Sequence, residues 1–290
     1  MVEQEAEVEL VDRTTEATAS NLTPEASIGH RRLRGVIQTV PRDVVDVEVV
    51  IPALNEERRI GATVKAVAGY LAGQAYSSDL VIVDNGSVDR TPDIVAEVAS
   101  ESRVAIHVTN CARRGKGAAI RHGILTSRAR WVGFCDADLA TPIETLDRVW
   151  PLLERGVEVV IGSRRCNGAQ VVRDQPHARQ LGGAMFRAVA DRLLPGVSDT
   201  QCGFKFFHGR AARELVQRCT VDGFAFDLEL LVQARAVGLA IVEVPVAWYD
   251  RNGSTLRPVR DGVRALADAL RLSRVRPATF IGGLDGGPRD

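Results

Sequence analysis

The chain has 290 residues, 45% of them hydrophobic, and its 37 lysines and arginines balance 37 aspartates and glutamates. That length suits one large α/β domain or two small ones, and a formal charge of zero gives no reason to expect a nucleic-acid partner. Five scattered cysteines without a CxxC spacing predict a reduced, cytoplasmic protein that lacks a zinc site. No run approaches the roughly 20 apolar residues that a membrane-spanning helix needs.

The two ends of the chain differ in composition from its middle. Residues 1–42 are polar, first acidic and then basic at residues 31–34, and residues 277–290 are rich in glycine and proline. Neither segment has the periodicity of a packed helix or strand, so we expect a flexible N-terminal extension and a flexible tail. Residues 43–276 are predicted to form a single domain.

Within the middle of the chain, short apolar runs alternate with helical patterns. Strands are predicted at residues 47–51, 80–83, 104–108, 131–135, 157–161 and 241–246. Helices are predicted at residues 56–71, 91–99, 115–127, 143–154 and 179–194, with two more from residue 210 and from about residue 226. This alternation predicts an α/β, Rossmann-like fold with a mostly parallel sheet and helices on both faces. Ligands in such sheets bind beyond the carboxyl ends of the strands.

The strand predicted at residues 131–135 is followed by two carboxylates, Asp136 and Asp138, with Ala137 between them. In an extended segment residues i and i+2 point the same way, so both carboxylates can meet one cation while Ala137 faces away. Oxygen ligands of this kind suit Mg²⁺ or Mn²⁺, which often share them with substrate phosphates. The alternative is an acidic turn at a strand end.

Polar groups also follow the first two predicted strands. Asn55 and Glu56 follow the first, and the loop of residues 84–87 follows the second. Together with residues 136–138, these motifs resemble the family 2 glycosyltransferases of the type A fold, over about residues 46–257. Within that family the chain is most similar to the polyprenyl-phosphate sugar transferases, the dolichyl-phosphate glucosyltransferase group in particular. That likeness lies in residues 136–142, 161–164, 199–205, 224–231, 244–248 and 253–254.

The resemblance implies a nucleotide-sugar half at residues 43–163 and an acceptor half at residues 164–276. The residues implied for the nucleotide sugar are Pro52, Leu54, Glu56, Asp84, Lys116, Asp136 and Ala137. Asp136 and Asp138 would hold the cation, and Asp138 is counted as catalytic. Two alternatives stay open: Glu56 also suits the start of a helix, and residues 84–87 also suit an ordinary turn.

Cationic side chains are the candidates for phosphate binding. Lys116 lies at a predicted helix start, where free amide groups and its ammonium can receive phosphate oxygens, although the flanking glycines also suit tight packing. Arg164, Arg179 and Lys205 are the candidates for an acceptor phosphate, because guanidinium and ammonium groups match its charge and geometry. Arg179 equally suits the solvated face of a helix.

Asp227 opens a predicted helix and has two possible roles. It suits an N-terminal cap, or a general base in catalysis. A phosphate acceptor is already an anion at neutral pH, since its second pKa lies near 6, and needs no base. A hydroxyl acceptor needs one, and Asp227 is then the candidate.

We therefore expect a metal-dependent, inverting glycosyltransferase that moves a hexose, with glucose from UDP-glucose favoured, onto a polyprenyl phosphate. The alternatives are transfer to a small soluble hydroxyl acceptor, a GDP-mannose-dependent polyprenyl-phosphate mannosyltransferase, and a non-catalytic nucleotide-sugar-binding protein. A lipid acceptor implies peripheral contact with the inner face of a membrane, through residues 31–34 or the helix after Arg179. The chain departs from the resemblance at Asn85, where a second acidic residue is usual, and at Ala140, where mannosyl relatives place a glutamine.

Overall fold

The computed structural model describes residues 44–171, 177–249 and 258–273, and gives only the backbone course of residues 177–183 and 258–260. The predicted extension at 1–42, with its basic residues 31–34, and the predicted tail at 277–290 lie outside the described residues. All the described residues fall within one unit, Arg42–Asp290. The division of residues 43–276 into a nucleotide-sugar half and an acceptor half stays a prediction.

A seven-stranded sheet runs through the described residues. In chain order the strands are β1 Val47–Ala53, β2 Ser78–Asp84, β3 Ala105–Asn110, β4 Trp131–Cys135, β5 Val159–Ser163, β6 Gln170–Val171, β7 Phe204–His208, β8 Ile241–Pro245 and β9 Ala247–Trp248. The large sheet has the order β3-β2-β1-β4-β7-β5-β8, and β6 pairs with β9 in a small second sheet. Only β7 is antiparallel to its neighbours in the large sheet, so the predicted mostly parallel sheet is confirmed.

Helices cover both faces of this sheet, as predicted. They are α1 Ile60–Ala72, α2 Thr91–Ser100, α3 Lys116–Thr126, α4 Leu146–Glu154, α5 His177–Leu193, α6 Gly209–Arg218, α7 Phe226–Ala236 and α8 Pro258–Leu272. Helices α1, α2 and α4 bury their apolar side chains in one core, and α3, α5, α6, α7 and α8 bury theirs in a second core. Alternate side chains of a strand enter the two cores, as for Val50 and Ile51 of β1.

Two sequence predictions need correction. Helix α1 begins at Ile60 and not at Glu56, because the Glu56 carbonyl accepts the amides of Arg59 and Ile60 and closes a turn before the helix. Strand β7 was not predicted at all, since a lysine, Lys205, occupies the centre of its aromatic run. The strand nevertheless lies between β4 and β5, with Lys205 opposite Phe134 and Ile161.

The topology brings the predicted motifs to one edge of the sheet. Strands β1, β2 and β4 are parallel neighbours, with Ala53 beside Asp84 and Val50 beside Phe134. The loops that follow their carboxyl ends therefore meet at the same edge. Because β7 runs the other way, the turn before it arrives at this edge too.

Candidate active site

The loop after β4 presents two carboxylates to the outside. Asp136 and Asp138 are both partly exposed, whereas Ala137 between them is only 7% exposed. The loop is closed by the Leu139 amide, which donates to the Asp136 carbonyl at 3.0 Å. Leu139 itself has a φ of 46°, in the left-handed region that a leucine rarely adopts. The backbone is thus bent sharply directly after the second carboxylate.

Two further hydrogen bonds hold this bend. The Ala140 amide donates to Oδ1 of Asp138 at 3.0 Å, which fixes that carboxylate on its own loop. From helix α1, the Thr63 hydroxyl donates to the Ala137 carbonyl at 2.7 Å in a buried position. A buried carbonyl left without such a donor costs about 1–3 kcal/mol. Thr63 therefore anchors the loop from outside, a role that the sequence motifs did not indicate.

Gly203 makes room for the first carboxylate. It lies in the turn before β7, whose Phe204 pairs with Cys135 of β4, and this register sets its Cα against Asp136. A Cβ atom on residue 203 would overlap the Asp136 carboxylate, lying 2.6 Å from Oδ1 and closer still to the other two atoms of the group. Glycine is thus required here for space and not for backbone conformation.

The chemistry of this carboxylate pair fits a hard divalent cation. Two aspartate oxygens facing an open edge are the protein share that Mg²⁺ sites commonly have, with phosphate and water completing the coordination shell. Among the described residues, no group of three or more His, Cys, Asp and Glu side chains could hold an ion. Partial burial and the adjacent Asp138 raise the pKa of Asp136, against the opposing effect of Lys116. A cation bound at this site would favour the ionised form of the Asp136 carboxyl.

A network of charges continues from Asp136, which is partly exposed, into the protein interior. Lys116, the first residue of α3, has its Nζ 2.7 Å from Oδ1 of Asp136 and 3.5 Å from Oδ2 of Asp227. Burial alone would lower the pKa of Lys116, but the Asp136 and Asp227 carboxylates raise it well above its usual range. The ammonium is therefore a fixed positive charge beside the carboxylate pair.

Asp227 connects this lysine to a second one. Its Oδ1 accepts from Nζ of Lys205 at 2.6 Å, and the same Nζ donates to the Cys202 carbonyl. The side chains of Lys205 and Asp227 are 0% and 2% exposed. The cap hypothesis for Asp227 is wrong, because Ala225 occupies the N-cap of α7 and no side chain caps the helix. Lys205, predicted to meet an acceptor phosphate, has its charged group in the protein interior.

Arg164, another predicted acceptor residue, lies nearer the surface than Lys205. It follows β5, and its Nε and Nη2 donate to the two carboxylate oxygens of Asp199 at 2.6 and 2.8 Å. Its guanidinium also lies over the ring of Trp248, at 5.6 Å from the centroid. Burial would raise the pKa of Asp199, but the bonds from Arg164 outweigh it and hold that pKa below its usual range. Arg179 lies in α5, with its side chain outside the described residues.

The loops after β1 and β2 are bonded to each other. The Asn55 amide donates to the Ser87 hydroxyl at 2.9 Å, and the Glu56 amide donates to the Thr91 hydroxyl at 2.8 Å. The Glu57 amide donates to the carboxylate of Asp89 at 3.1 Å. The motif residues Ser87, Asp89 and Thr91 therefore fix the shape of the first loop. This explains their spacing without any direct contact with a ligand.

Four of the residues predicted for the nucleotide sugar lie at the carboxyl ends of β1 and β2 or in the loop after β1. Pro52 is half-buried and Leu54 is exposed, while Asp84 is buried and accepts the amides of Gly86 and Ser87. Burial raises the pKa of Glu56, although its carboxylate pairs with Arg59 at 2.7 Å. A cleft of about 1040 Å³ has Glu56, Asp138 and Leu139 among its lining residues. The predicted base, ribose and cation residues thus lie around one edge of the sheet.

Asn85 has a function that its motif did not reveal. Its side chain is buried, with Nδ2 donating to the carbonyls of Cys111 at 3.2 Å and Arg113 at 2.7 Å. Its Oδ1 accepts the Gly115 amide at 2.7 Å. Three bonds from one amide group hold the segment that leads into Lys116, and a carboxylate could not donate the first two. The departure from the usual acidic residue therefore has a structural purpose.

This combination of fold and site defines a class of protein. A mostly parallel sheet with an Asp-X-Asp loop, a lysine at a helix start and polar loops at one edge is the type A architecture of nucleotide-sugar transferases. Residues 48–216 match the sequence profile of glycosyl transferase family 2. The chain belongs to this family and is a glycosyltransferase, as its motifs predicted.

Similar proteins narrow the likeness within the family. The chain is 29% identical over 245 residues to a dolichyl-phosphate β-glucosyltransferase of Dictyostelium discoideum, covering 80% of this chain and 75% of the relative. Enzymes of the same name match at 32% over 240 residues in Trichomonas vaginalis, covering 79% and 73%. The human enzyme matches at 31% over 228 residues, covering 72% and 69%. The predicted likeness to this group is confirmed.

Solved structures share the fold. Glucosyl-3-phosphoglycerate synthase of Mycobacterium tuberculosis, in complex with Mn²⁺, uridine diphosphate and glucosyl-3-phosphoglycerate, superposes with a TM-score of 0.61 at 20% identity, covering 79% of this chain and 80% of that one. Its complex with uridine diphosphate gives 0.62 at 22% identity, covering 81% and 82%. At this identity the likeness establishes the type A fold. Among the described residues, no helix has the length and apolar character to cross a membrane.

Proposed function

We propose that this glycosyltransferase moves glucose from UDP-glucose to a polyprenyl phosphate, with inversion and with Mg²⁺ or Mn²⁺ as cofactor. The observation that carries the proposal is the pair Asp136 and Asp138 beside the partly buried ammonium of Lys116. Similarity over four-fifths of the chain to a dolichyl-phosphate β-glucosyltransferase supports the sugar and the acceptor. A solved neighbour with this fold was crystallised with Mn²⁺ and a uridine nucleotide, which is consistent with the donor chemistry.

On the donor side, the loops at one edge of the sheet bind the cation, the diphosphate and the nucleoside. Asp136 and Asp138 hold the cation, which, when bound, neutralises the charge that develops on the departing diphosphate. Lys116 supplies a second positive charge to the same diphosphate. Glu56 and Asp84 bind the ribose and base, and the backbone at Pro52 and Leu54 packs against the base.

On the acceptor side, the reaction needs no general base. A phosphate monoester is already charged at neutral pH, because its second pKa lies near 6. Its oxygen attacks the anomeric carbon as the bond to the diphosphate breaks, so no proton has to leave. We propose that Arg164 and Arg179 orient this phosphate, with Asp199 holding the Arg164 fork in place. A lipid acceptor also requires contact between the protein and a membrane surface.

Transfer assays with purified protein test this proposal. We expect labelled product from UDP-glucose and dolichyl phosphate in detergent, and little from GDP-mannose or from small hydroxyl acceptors. Chelation by EDTA should abolish transfer and Mn²⁺ or Mg²⁺ should restore it. Asp138→Asn should lose at least about 10²-fold in kcat/KM, as expected when a group positioned at the reacting charge is removed. Full activity in EDTA would contradict the metal site, and preference for a sugar hydroxyl would contradict the acceptor.

A further inference from the structure

Asp227 lies where a general base could not work but where a counter-ion is needed. Its carboxylate is buried between two lysines, with Nζ of Lys205 at 2.6 Å and Nζ of Lys116 at 3.5 Å. Both of its oxygens therefore face an ammonium group. A base must reach the proton that it removes, within about 3 Å or through one water. A carboxylate that is 2% exposed and flanked by two cations does not offer that access.

The arrangement instead connects three elements of the fold. Lys205 belongs to β7, Asp227 to the first turn of α7, and Lys116 to the start of α3. Lys116 is the only one of the three that also contacts Asp136. Its long side chain has many rotamers, so its position depends on the partners that surround it. Asp227, itself fixed by Lys205, restricts those rotamers from the inner side.

The neighbouring backbone supports the same placement. Gly117 packs so closely against Phe226 of α7 that an added Cβ atom would overlap the Phe226 Cβ, and the Ala118 amide donates to the Asp222 carbonyl at 3.2 Å. The first turn of α3, which includes Lys116, is thus in contact with the first turn of α7, which includes Asp227. These contacts fix the backbone positions from which the Lys116 and Asp227 side chains extend.

We infer that Asp227 is a positioning residue: with Lys205 it holds the Lys116 ammonium at the cation site, where it meets the donor diphosphate. The inference rests on the proposed function for the diphosphate contact, and on the geometry alone for the buried pair. It replaces both roles that the sequence left open for Asp227, an N-terminal cap or a general base for a hydroxyl acceptor, with that of a fixed counter-ion. It also gives Lys205 an internal partner in place of the acceptor phosphate.

The energetics of buried pairs provide a way to test this role. Removing one partner of a buried ion pair leaves an uncompensated charge, whereas replacing both with apolar groups often costs little. Asp227→Asn and Lys205→Met should each lower the unfolding midpoint clearly, and the double variant Asp227→Leu/Lys205→Met should recover most of it. The double variant is thus expected to remain folded even if the single variants do not.

Binding of UDP and uridine then separates positioning from a merely structural role. We expect the double variant to bind UDP about tenfold or more weakly than wild type, as for a lost charge-assisted contact, and to bind uridine unchanged. The control is Asp79→Asn, which breaks a different partly buried pair with His107 at the far end of β2. It should lower the unfolding midpoint and leave both affinities unchanged.

The outcomes are distinct. Wild-type UDP affinity in the double variant would overturn the inference. So would an Asp227→Asn enzyme that binds UDP normally but has lost the acidic limb of its pH–rate profile, because that pattern identifies a general base. A wild-type protein that does not bind UDP would instead refute the proposed function, while the stability cycle would still report on the buried pair.

Discussion

A methyl group on Gly203 tests whether the space beside Asp136 matters for catalysis. The Gly203→Ala substitution is mild for the backbone, because the φ of residue 203 is outside the positive range that favours glycine. The added Cβ would overlap Cγ and Oδ2 of Asp136 and lie 2.6 Å from Oδ1. Since Cβ contacts below 3.0 Å essentially never occur, the carboxylate has to move by about 1 Å or rotate away.

The size of the effect follows from that displacement. A misplacement of about 1 Å at a reacting centre can cost about 10²-fold in rate, so we expect kcat/KM to fall by about that factor. We also expect Mn²⁺ to bind more weakly in the presence of UDP, because one of its two protein ligands is displaced. Overpacking of this kind lowers the free energy of unfolding by about 1–3 kcal/mol, so the variant should remain folded.

The assay measures transfer rates over a range of Mn²⁺ concentrations, and measures Mn²⁺ binding by electron paramagnetic resonance. Gly223→Ala is the matched control, because a Cβ atom at that position would meet no heavy atom within 4 Å. It should behave as wild type in both measurements. A Gly203→Ala enzyme with wild-type kcat/KM and Mn²⁺ affinity would refute the reasoning, and with it the assignment of Asp136 to the cation.

Three further predictions concern residues that support the site. Asn85→Asp should weaken UDP binding about tenfold in calorimetry, since the new carboxylate would face two carbonyls that the amide now binds; unchanged binding would exclude a positioning role. Thr63→Val should lower the unfolding free energy by about 1–3 kcal/mol and weaken Mn²⁺ binding, because it removes the donor to the Ala137 carbonyl; an unaffected Mn²⁺ affinity would contradict this. The lowered pKa of Asp199 means that its stabilising pair with Arg164 is present above the unfolded pKa and is lost as pH falls through the folded one. The stability difference between wild type and Asp199→Asn should therefore narrow on acidification, and a constant difference would refute the pairing.

The sequence predicted the framework because its signals are local. Strands β1, β2, β4 and β5 each contain a run of consecutive apolar residues, and such runs between helical patterns favour a parallel sheet whatever their partners. The alternation at Asp136, Ala137 and Asp138 is equally local, because it depends only on the two-residue period of an extended chain. In the structure both carboxylates are partly exposed and Ala137 is buried.

What the sequence did not predict depends on distant partners. Strand β7 contains a charged residue, Lys205, that becomes acceptable in the core only because Asp227 lies opposite its ammonium in the folded chain. In the sequence, Asn85 is recognisable only as the replacement of a usual acidic residue. The carbonyls that its side chain binds belong to a segment more than twenty residues away, so the sequence motif does not reveal them. Such pairings require the three-dimensional arrangement, and local patterns carry no information on them.

The motifs combine residues of two kinds that a sequence cannot separate. Asp138 lies at the open edge of the sheet, whereas Asp199 and Asp227 each hold a basic side chain that can face a substrate. Replacing any of them is expected to reduce activity, so a loss of turnover alone does not identify a catalytic group. What distinguishes the two kinds is the property that changes. Loss of a residue that contacts the diphosphate alters UDP binding with little effect on stability. Loss of a buried counter-ion alters both UDP binding and stability. When the partner of that counter-ion is removed as well, only the stability is recovered.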